Sequence, residues 1–88
     1  MRDEHLLSQL EDLAHRLGIK VRYEKVNLGD SSDRGGLCRI RGDYFLIIDS
    51  RASTREKIHV TLKALNRFDL GDLHIIPVIR DLLETFKE

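Results

Sequence analysis

The side chains of this sequence best suited to bind a metal or attack a substrate are the single cysteine and the four histidines. They are Cys38, His5, His15, His59 and His74. No two histidines lie three or four residues apart, as two metal ligands on one helix would, so we predict surface or boundary histidines and no metal site. Cys38 follows two glycines, but no neighbouring base would activate its thiol. We interpret it as a buried strand residue.

An enzyme that uses some other arrangement of these residues is one function that the sequence leaves open. Such a site would combine Cys38 with Asp33, Asp49 or a histidine. No two of these residues have a spacing that is diagnostic of a known mechanism. We therefore predict no catalytic residue, no metal and no cofactor.

The segment 61–68 is a second candidate for chemistry because of the elements that precede it. It reads Thr-Leu-Lys-Ala-Leu-Asn-Arg-Phe and follows a Gly-Gly-Leu-Cys-Arg-Ile hairpin, an Ile-Ile-Asp-Ser-Arg segment and a helix cap. With the helix, strand and loop before them, this order over residues 6–68 resembles the ImmA/IrrE-type zinc peptidases, which cleave phage and stress-response repressors. In that family the helix carries His-Glu-x-x-His, whose histidines bind zinc and whose glutamate activates water.

The residues that would bind zinc in that family are replaced in this sequence. The corresponding positions are Ala64, Leu65 and Phe68, none of which can bind a metal or move a proton. Shifting the register does not restore the motif, because His59 has a lysine four residues further on. The resemblance therefore implies a shortened, non-catalytic relative, that is, a degenerate metallopeptidase-like protein.

Length, charge and composition exclude several classes of protein. The 88 residues are enough for one small domain, 1–88, which buries only about 60% of the surface of its unfolded chain. Fifteen basic and fifteen acidic residues cancel, so no net field attracts nucleic acid or anionic lipid. No apolar run approaches the ~18 residues of a membrane span, and the start of the chain lacks a targeting pattern. With one cysteine and no internal disulfide, we predict a cytoplasmic protein.

Periodicity and capping signals predict an α+β domain, with about three antiparallel strands and helices on one face of the sheet. The predicted order is helix, strand, strand, strand, helix, helix. The elements are a helix at 3–17, a strand at 19–26, a mobile surface loop at 27–36, hairpin strands at 37–41 and 44–48, a helix from 53 to about 67, a connector at 70–76 and a last helix from 77. Gly42-Asp43, between the hairpin strands, predicts a two-residue type II′ turn.

The two faces of the predicted hairpin differ in character. Cys38, Ile40, Phe45 and Ile47 form an apolar face, which we expect to lie against the helices. The opposite face combines arginine and tyrosine with aliphatic residues, as binding hot spots do, and we predict that it binds a protein partner or a second copy. Its residues are Leu37, Arg39, Arg41, Tyr44, Leu46 and Ile48. The leading hypothesis is thus a non-catalytic protein-interaction or self-associating module.

Basic residues on neighbouring strands predict a second kind of partner. If the first strand pairs with the hairpin, Lys20 and Arg22 lie on the same face as Arg39 and Arg41, with Tyr44 available for stacking. Such a patch would bind nucleic acid or another anion. Nearby carboxylates could neutralise it, so an ordinary solvated strand face stays the alternative.

Overall fold

A computed structural model describes residues 1–25 and 34–87. Its elements are α1 (Asp3–Arg16), β1 (Lys20–Glu24), β2 (Gly35–Ile40), β3 (Asp43–Asp49), α2 (Thr54–Leu65) and α3 (Pro77–Thr85). The α+β class and the order of the elements confirm the prediction. The predicted loop at 27–36 falls mostly outside the described residues, and its last two residues, Gly35 and Gly36, belong to β2.

Local sequence signals fix where the helices begin. α1 begins with two acidic residues, which the partial positive charge of a helix N-terminus favours. α2 begins with the predicted capping box, in which the N–H of Glu56 donates to Ser53 Oγ at 3.1 Å and the N–H of Ser53 donates to the Glu56 carboxylate at 2.8 Å. Pro77 occupies the first turn of α3, where its missing N–H costs nothing.

The three strands form a mixed sheet in the order β1-β3-β2. β2 and β3 pair antiparallel, as predicted, but β1 pairs parallel to β3, so the expectation of an antiparallel sheet is wrong for β1. The reason is that β1 pairs with the second hairpin strand and not the first. The N–H of Asp49 donates to the carbonyl of Arg34, and that of Ser50 donates to the carbonyl of Glu24. Glu24 and Arg34 therefore both lie at the end of the sheet where β3 finishes.

The hairpin turn lies one residue earlier than predicted. Arg41 and Gly42 form the two-residue turn, with φ angles of 53° and 87°, and Ile40 pairs with Asp43. Two successive positive φ values are typical of a type I′ turn, whose twist matches that of the strands it joins. Arg41 thus adopts a conformation that glycine would adopt at lower cost.

The helices cover the sheet face opposite to the one predicted. Leu46 and Ile48 are 0% exposed and belong to the core, together with apolar residues of α1, α2 and α3. Cys38, Phe45 and Ile47 share the uncovered face, so the prediction that this face lies against the helices is wrong.

The parallel pairing of β1 explains this orientation. Val21 lies beside Leu46 and packs against the core, whereas Lys20 and Arg22 lie beside Phe45 and Ile47. Placing the helices on the other face would bury both cations of β1, which costs far more than leaving some apolar surface exposed. The charged face of β1 therefore decides which face of the sheet is left uncovered.

Candidate interaction surfaces

The uncovered side of the sheet is the first candidate surface, and we call it the outer face. Its residues are Lys20, Arg22, Cys38, Ile40, Phe45 and Ile47. Ile40 is 46% exposed and the other three apolar residues are half-buried. Lys20 Nζ and the Arg22 guanidinium lie 5.4 and 5.8 Å from the centroid of the Phe45 ring. The outer face thus has an apolar centre, and cation–π contacts from β1 partly cover it.

The charges beside this apolar centre are paired with each other. Lys20 Nζ lies 3.3 Å from the Asp43 carboxylate, and Arg22 Nε lies 3.2 Å from that of Glu24. These pairs are exposed, so each contributes at most about 1 kcal/mol to stability. Their consequence is electrostatic, because Asp43 and Glu24 at the margin of the outer face balance the charges of Lys20 and Arg22.

The interaction surface predicted from the sequence is not accessible as a unit. Leu46 and Ile48 are buried beneath the helices, and Leu37 is half-buried. Tyr44 packs edge-on against Phe68 with the ring centroids 5.0 Å apart. Of the six predicted residues, only Arg39 and Arg41 are exposed, so a partner cannot reach the surface that the sequence suggested.

The predicted basic patch is also divided by the sheet. Lys20 and Arg22 lie on the outer face, whereas Arg39 lies on the helix side, where its guanidinium stacks 5.3 Å from the Tyr44 ring. Arg41 lies in the turn. Because Lys20 pairs with Phe45 and Arg39 pairs with Tyr44, which point to opposite sides of the sheet, the four cations do not form one surface.

A groove between β2 and α2 is the second candidate surface, and sequence reasoning missed it. It encloses about 470 Å³. Its apolar wall is formed by Leu37, Val60 and Ala64, and cationic side chains come from Arg34, Lys63 and Arg67. One sequence signal is the spacing of Lys63 and Arg67, which are four residues apart in the predicted helix, although α2 itself ends at Leu65.

An ion-pair network closes one end of the groove. Asp49, 2% exposed, accepts hydrogen bonds from the Arg51 side chain (3.2 Å), the Arg51 backbone N–H (3.0 Å) and Arg34 (3.4 Å). These donors, with Arg51 the strongest, lower the pKa of Asp49 from 3.8 to about 2. Arg34 also pairs with Glu56 at 3.2 Å, and the Ser53 N–H is the main cause of the lowered pKa of Glu56. The network joins the start of β2 to the start of α2.

Acid should weaken this network over a defined range. Because the folded-state pKa of Asp49 lies below its ordinary value, the stabilisation is complete above about pH 4 and is lost as the pH falls from 3.8 towards 2. The midpoint of thermal unfolding should therefore be higher for wild type than for Asp49→Asn at pH 6, and this difference should shrink towards pH 2. A difference that stays constant from pH 6 to pH 2 would contradict the conclusion that the ionised carboxylate of Asp49 stabilises the fold.

The structure does not bring together the residues that could have formed an enzyme site. Cys38 pairs with Phe45, four residues along β3 from Asp49, which corresponds to roughly 13 Å. Asp33 lies outside the described residues. Within 1–25 and 34–87, no three His, Cys, Asp or Glu side chains form a group that could hold a metal ion.

The histidines and the positions that correspond to the zinc motif have ordinary surroundings. Ala64 and Leu65 are buried in the core, and Phe68 packs against Tyr44. The His59 ring contacts the Phe86 ring at 5.0 Å, and the other three histidines are exposed. These contacts are those of packing and of a solvated surface.

Comparison with protein-family models, curated proteins and solved structures finds no match to this chain. None of the helices in the described part of the chain combines the length and apolar character that crossing a bilayer needs. The candidate surfaces are therefore the basis for a functional proposal.

Proposed function

We propose that this protein is a non-catalytic interaction module that associates with a second copy of itself through the outer face. One observation carries the proposal: in the described part of the chain the helices lie on one side of the sheet, while its other side presents an apolar centre flanked by charges of both signs. Exposed apolar patches with a polar rim are typical of protein–protein contacts. A chain of 88 residues also gains much from a second layer, since it buries little surface alone.

The charge pattern suits a copy of the same surface. In a two-fold dimer each residue meets the same surface on its partner, so a face with equal numbers of cations and anions can provide a counter-charge for each of its own. Two such sheets would pack about 10 Å apart, with Phe45 and Ile47 of the two copies filling the space between them. The proposed contact is therefore apolar at its centre and neutral at its rim.

The same pattern weighs against nucleic acid as the partner. Lys20 and Arg22 beside the Phe45 ring resemble a stacking platform, but Asp43 and Glu24 neutralise both cations. A phosphate backbone would compete with these carboxylates. Nucleic acid remains the second candidate, and an added oligonucleotide tests it alongside self-association.

Substitution of Ile47 by glutamate should separate the proposed dimer. Light scattering should give twice the chain mass of 10.2 kDa for wild type and 10.2 kDa for Ile47→Glu. The new carboxylate lies beside Arg22 on the outer face, so the monomer should stay folded. Ile40→Lys, at a 46% exposed position, is a second variant that disturbs no core contact. Val78→Glu is the matched control, because Val78 is 48% exposed but lies on α3.

The outcomes separate the candidate functions. A wild-type mass of 10.2 kDa at the highest soluble concentration would reject self-association. A dimer that survives both outer-face variants would assign the contact to another surface. Salt-sensitive retention of wild type by an oligonucleotide, lost on replacing Lys20 and Arg22, would favour nucleic acid.

A further inference from the structure

The free edge of β2 is the feature that leads beyond self-association. β2 pairs with β3 on one side, and no other described strand lies on its second side. The N–H of Asp49 donates to the carbonyl of Arg34 at 2.7 Å, which sets the alternation of the antiparallel ladder. In that alternation the backbone groups of Gly36, Cys38 and Ile40 point towards β3. Those of Gly35, Leu37 and Arg39 therefore point outward, where another strand could pair with them.

The groove lies directly beside this edge, and the side chains that line it determine which kind of strand could bind there. Leu37 contributes to both, because its backbone is on the edge and its side chain lines the groove with Val60 and Ala64. Among the described residues, Arg34 pairs with the Glu56 carboxylate at 3.2 Å, and Arg67 adds a further cation to the lining of the groove. The described lining is thus apolar along its wall and offers a ligand the positive charge of Arg67.

We propose that an extended peptide with acidic side chains binds in this groove by adding a strand to the edge of β2. Backbone hydrogen bonds to Gly35, Leu37 and Arg39 would supply the affinity common to all such peptides. Alternate side chains would enter the groove, where the carboxylate of an aspartate or glutamate would meet Arg67 and its methylene group would lie against Val60. The three outward positions span about 13 Å, which corresponds to a peptide of roughly five residues.

Two features make a peptide a better fit than a small anion. The cationic residues come from three places in the fold, because Arg34 precedes β2, Lys63 lies in the last turn of α2 and Arg67 follows the end of α2 at Leu65. The outward N–H and C=O groups form an alternating row that matches another backbone and no compact ligand. The proposal does not depend on self-association, because the edge and the outer face are different sides of β2.

A matched pair of short peptides tests the inference. The probes are fluorescein-labelled Glu-Val-Glu-Val-Glu and Lys-Val-Lys-Val-Lys, and the readout is fluorescence polarisation with wild-type protein. We expect saturable binding of the acidic peptide and none of the basic one. Acidic peptide N-methylated at every residue keeps its charges but loses its backbone donors in either strand direction, and we expect it to bind at least tenfold more weakly.

Variants of the protein separate the backbone and charge contributions. Arg39→Pro removes one outward N–H without affecting the ladder to β3, and Arg39→Ala is its control, since both lose the same side chain. Arg39→Pro should bind the acidic peptide about three- to tenfold more weakly than Arg39→Ala. Arg67→Glu should weaken binding about tenfold or more, whereas Arg80→Glu, an exposed arginine on α3, should not.

Several results would overturn the inference. These are equal binding of the two peptides, no binding of the acidic peptide at millimolar concentration, and an unchanged affinity for both Arg39→Pro and Arg67→Glu. A fall in the light-scattering mass of Arg39→Pro relative to Arg39→Ala would identify a second copy of the chain on this edge. That outcome, too, would reject the peptide.

Discussion

Replacing Gly35 with alanine should lower the free energy of unfolding by roughly 3 to 5 kcal/mol, whereas the same change at Gly36 should alter it by less than about 1 kcal/mol. Gly35 has a φ angle of 140°, which side chains with a Cβ rarely adopt. An added Cβ would collide with the carbonyl oxygen of Ile47 and lie 2.9 Å from Ile48 Cα, and these are backbone atoms of the central strand. At Gly36 an added Cβ meets nothing within 4 Å.

Urea denaturation of the two single variants and wild type provides the measurement. A chain of this size has only about 5 to 10 kcal/mol of stability in total, so Gly35→Ala should lose a large part of its stability and unfold at a much lower urea concentration. Both substitutions reduce the conformational entropy of the unfolded chain equally. Gly36→Ala is therefore the control for this effect. Equal midpoints for the two variants would contradict the close approach of β2 to β3.

Replacing Leu46 with alanine should lower the free energy of unfolding by about 2 to 5 kcal/mol, while Ile47→Ala should lower it by about 1 kcal/mol. The two residues are neighbours in β3, but Leu46 is fully buried beneath the helices and Ile47 lies on the outer face. Truncating Leu46 leaves a cavity among core residues that cannot collapse completely. The Ile47 side chain is half-buried, so less apolar area is lost.

Denaturant unfolding of both variants would test which face of the sheet meets the helices. The measurement is best made in the Ile40→Lys background as well as in wild type, so that any contribution of a dimer to the apparent stability is removed. If Ile47→Ala lowers the free energy of unfolding more than Leu46→Ala does in both backgrounds, the helices pack on the face of the sheet that was expected from the sequence.

The features predicted correctly from the sequence depend on short-range signals. The capping box of Ser53 and Glu56 and the position of Pro77 involve residues within one turn of each other, so their physics does not depend on the rest of the fold. The hairpin pairing of β2 and β3 is also local. Its turn was misplaced by one residue because Gly42-Asp43 is the better type II′ sequence, whereas the strands select Arg41-Gly42.

The orientation of the sheet depends on contacts between distant segments. β3 is apolar on both faces, so alternation alone could not decide whether Leu46 or Ile47 would be buried. The deciding information is in β1, whose Lys20 and Arg22 lie on the outer face once its parallel register with β3 is known. Parallel pairing has no short turn by which a sequence can reveal it.

The groove could not be predicted for a related reason. Its wall combines Leu37 of β2 with Val60 and Ala64 of α2, and only the packing of α2 beside the edge strand brings them together. Lys63 and Arg67 share one face of the helix predicted from the sequence, but a charged helix face is usually only solvated. The edge position of β2, which makes the groove a candidate for strand addition, follows from the strand order β1-β3-β2.

The central position of β3 also has a consequence for how the chain avoids aggregation. Residues 44–48 are five consecutive apolar or aromatic residues, the kind of segment that forms intermolecular β-structure when an edge is open. β2 covers one edge across a two-residue turn, whereas β1 and β3 are separated by residues 25–42 of the sequence, so we expect β1 to join β3 later than β2 does. Once in place, β1 presents an edge rich in Lys20, Arg22 and Glu24, whose charges disfavour pairing with another chain. The first strand thus acts as a gatekeeper for the most aggregation-prone strand of the sheet.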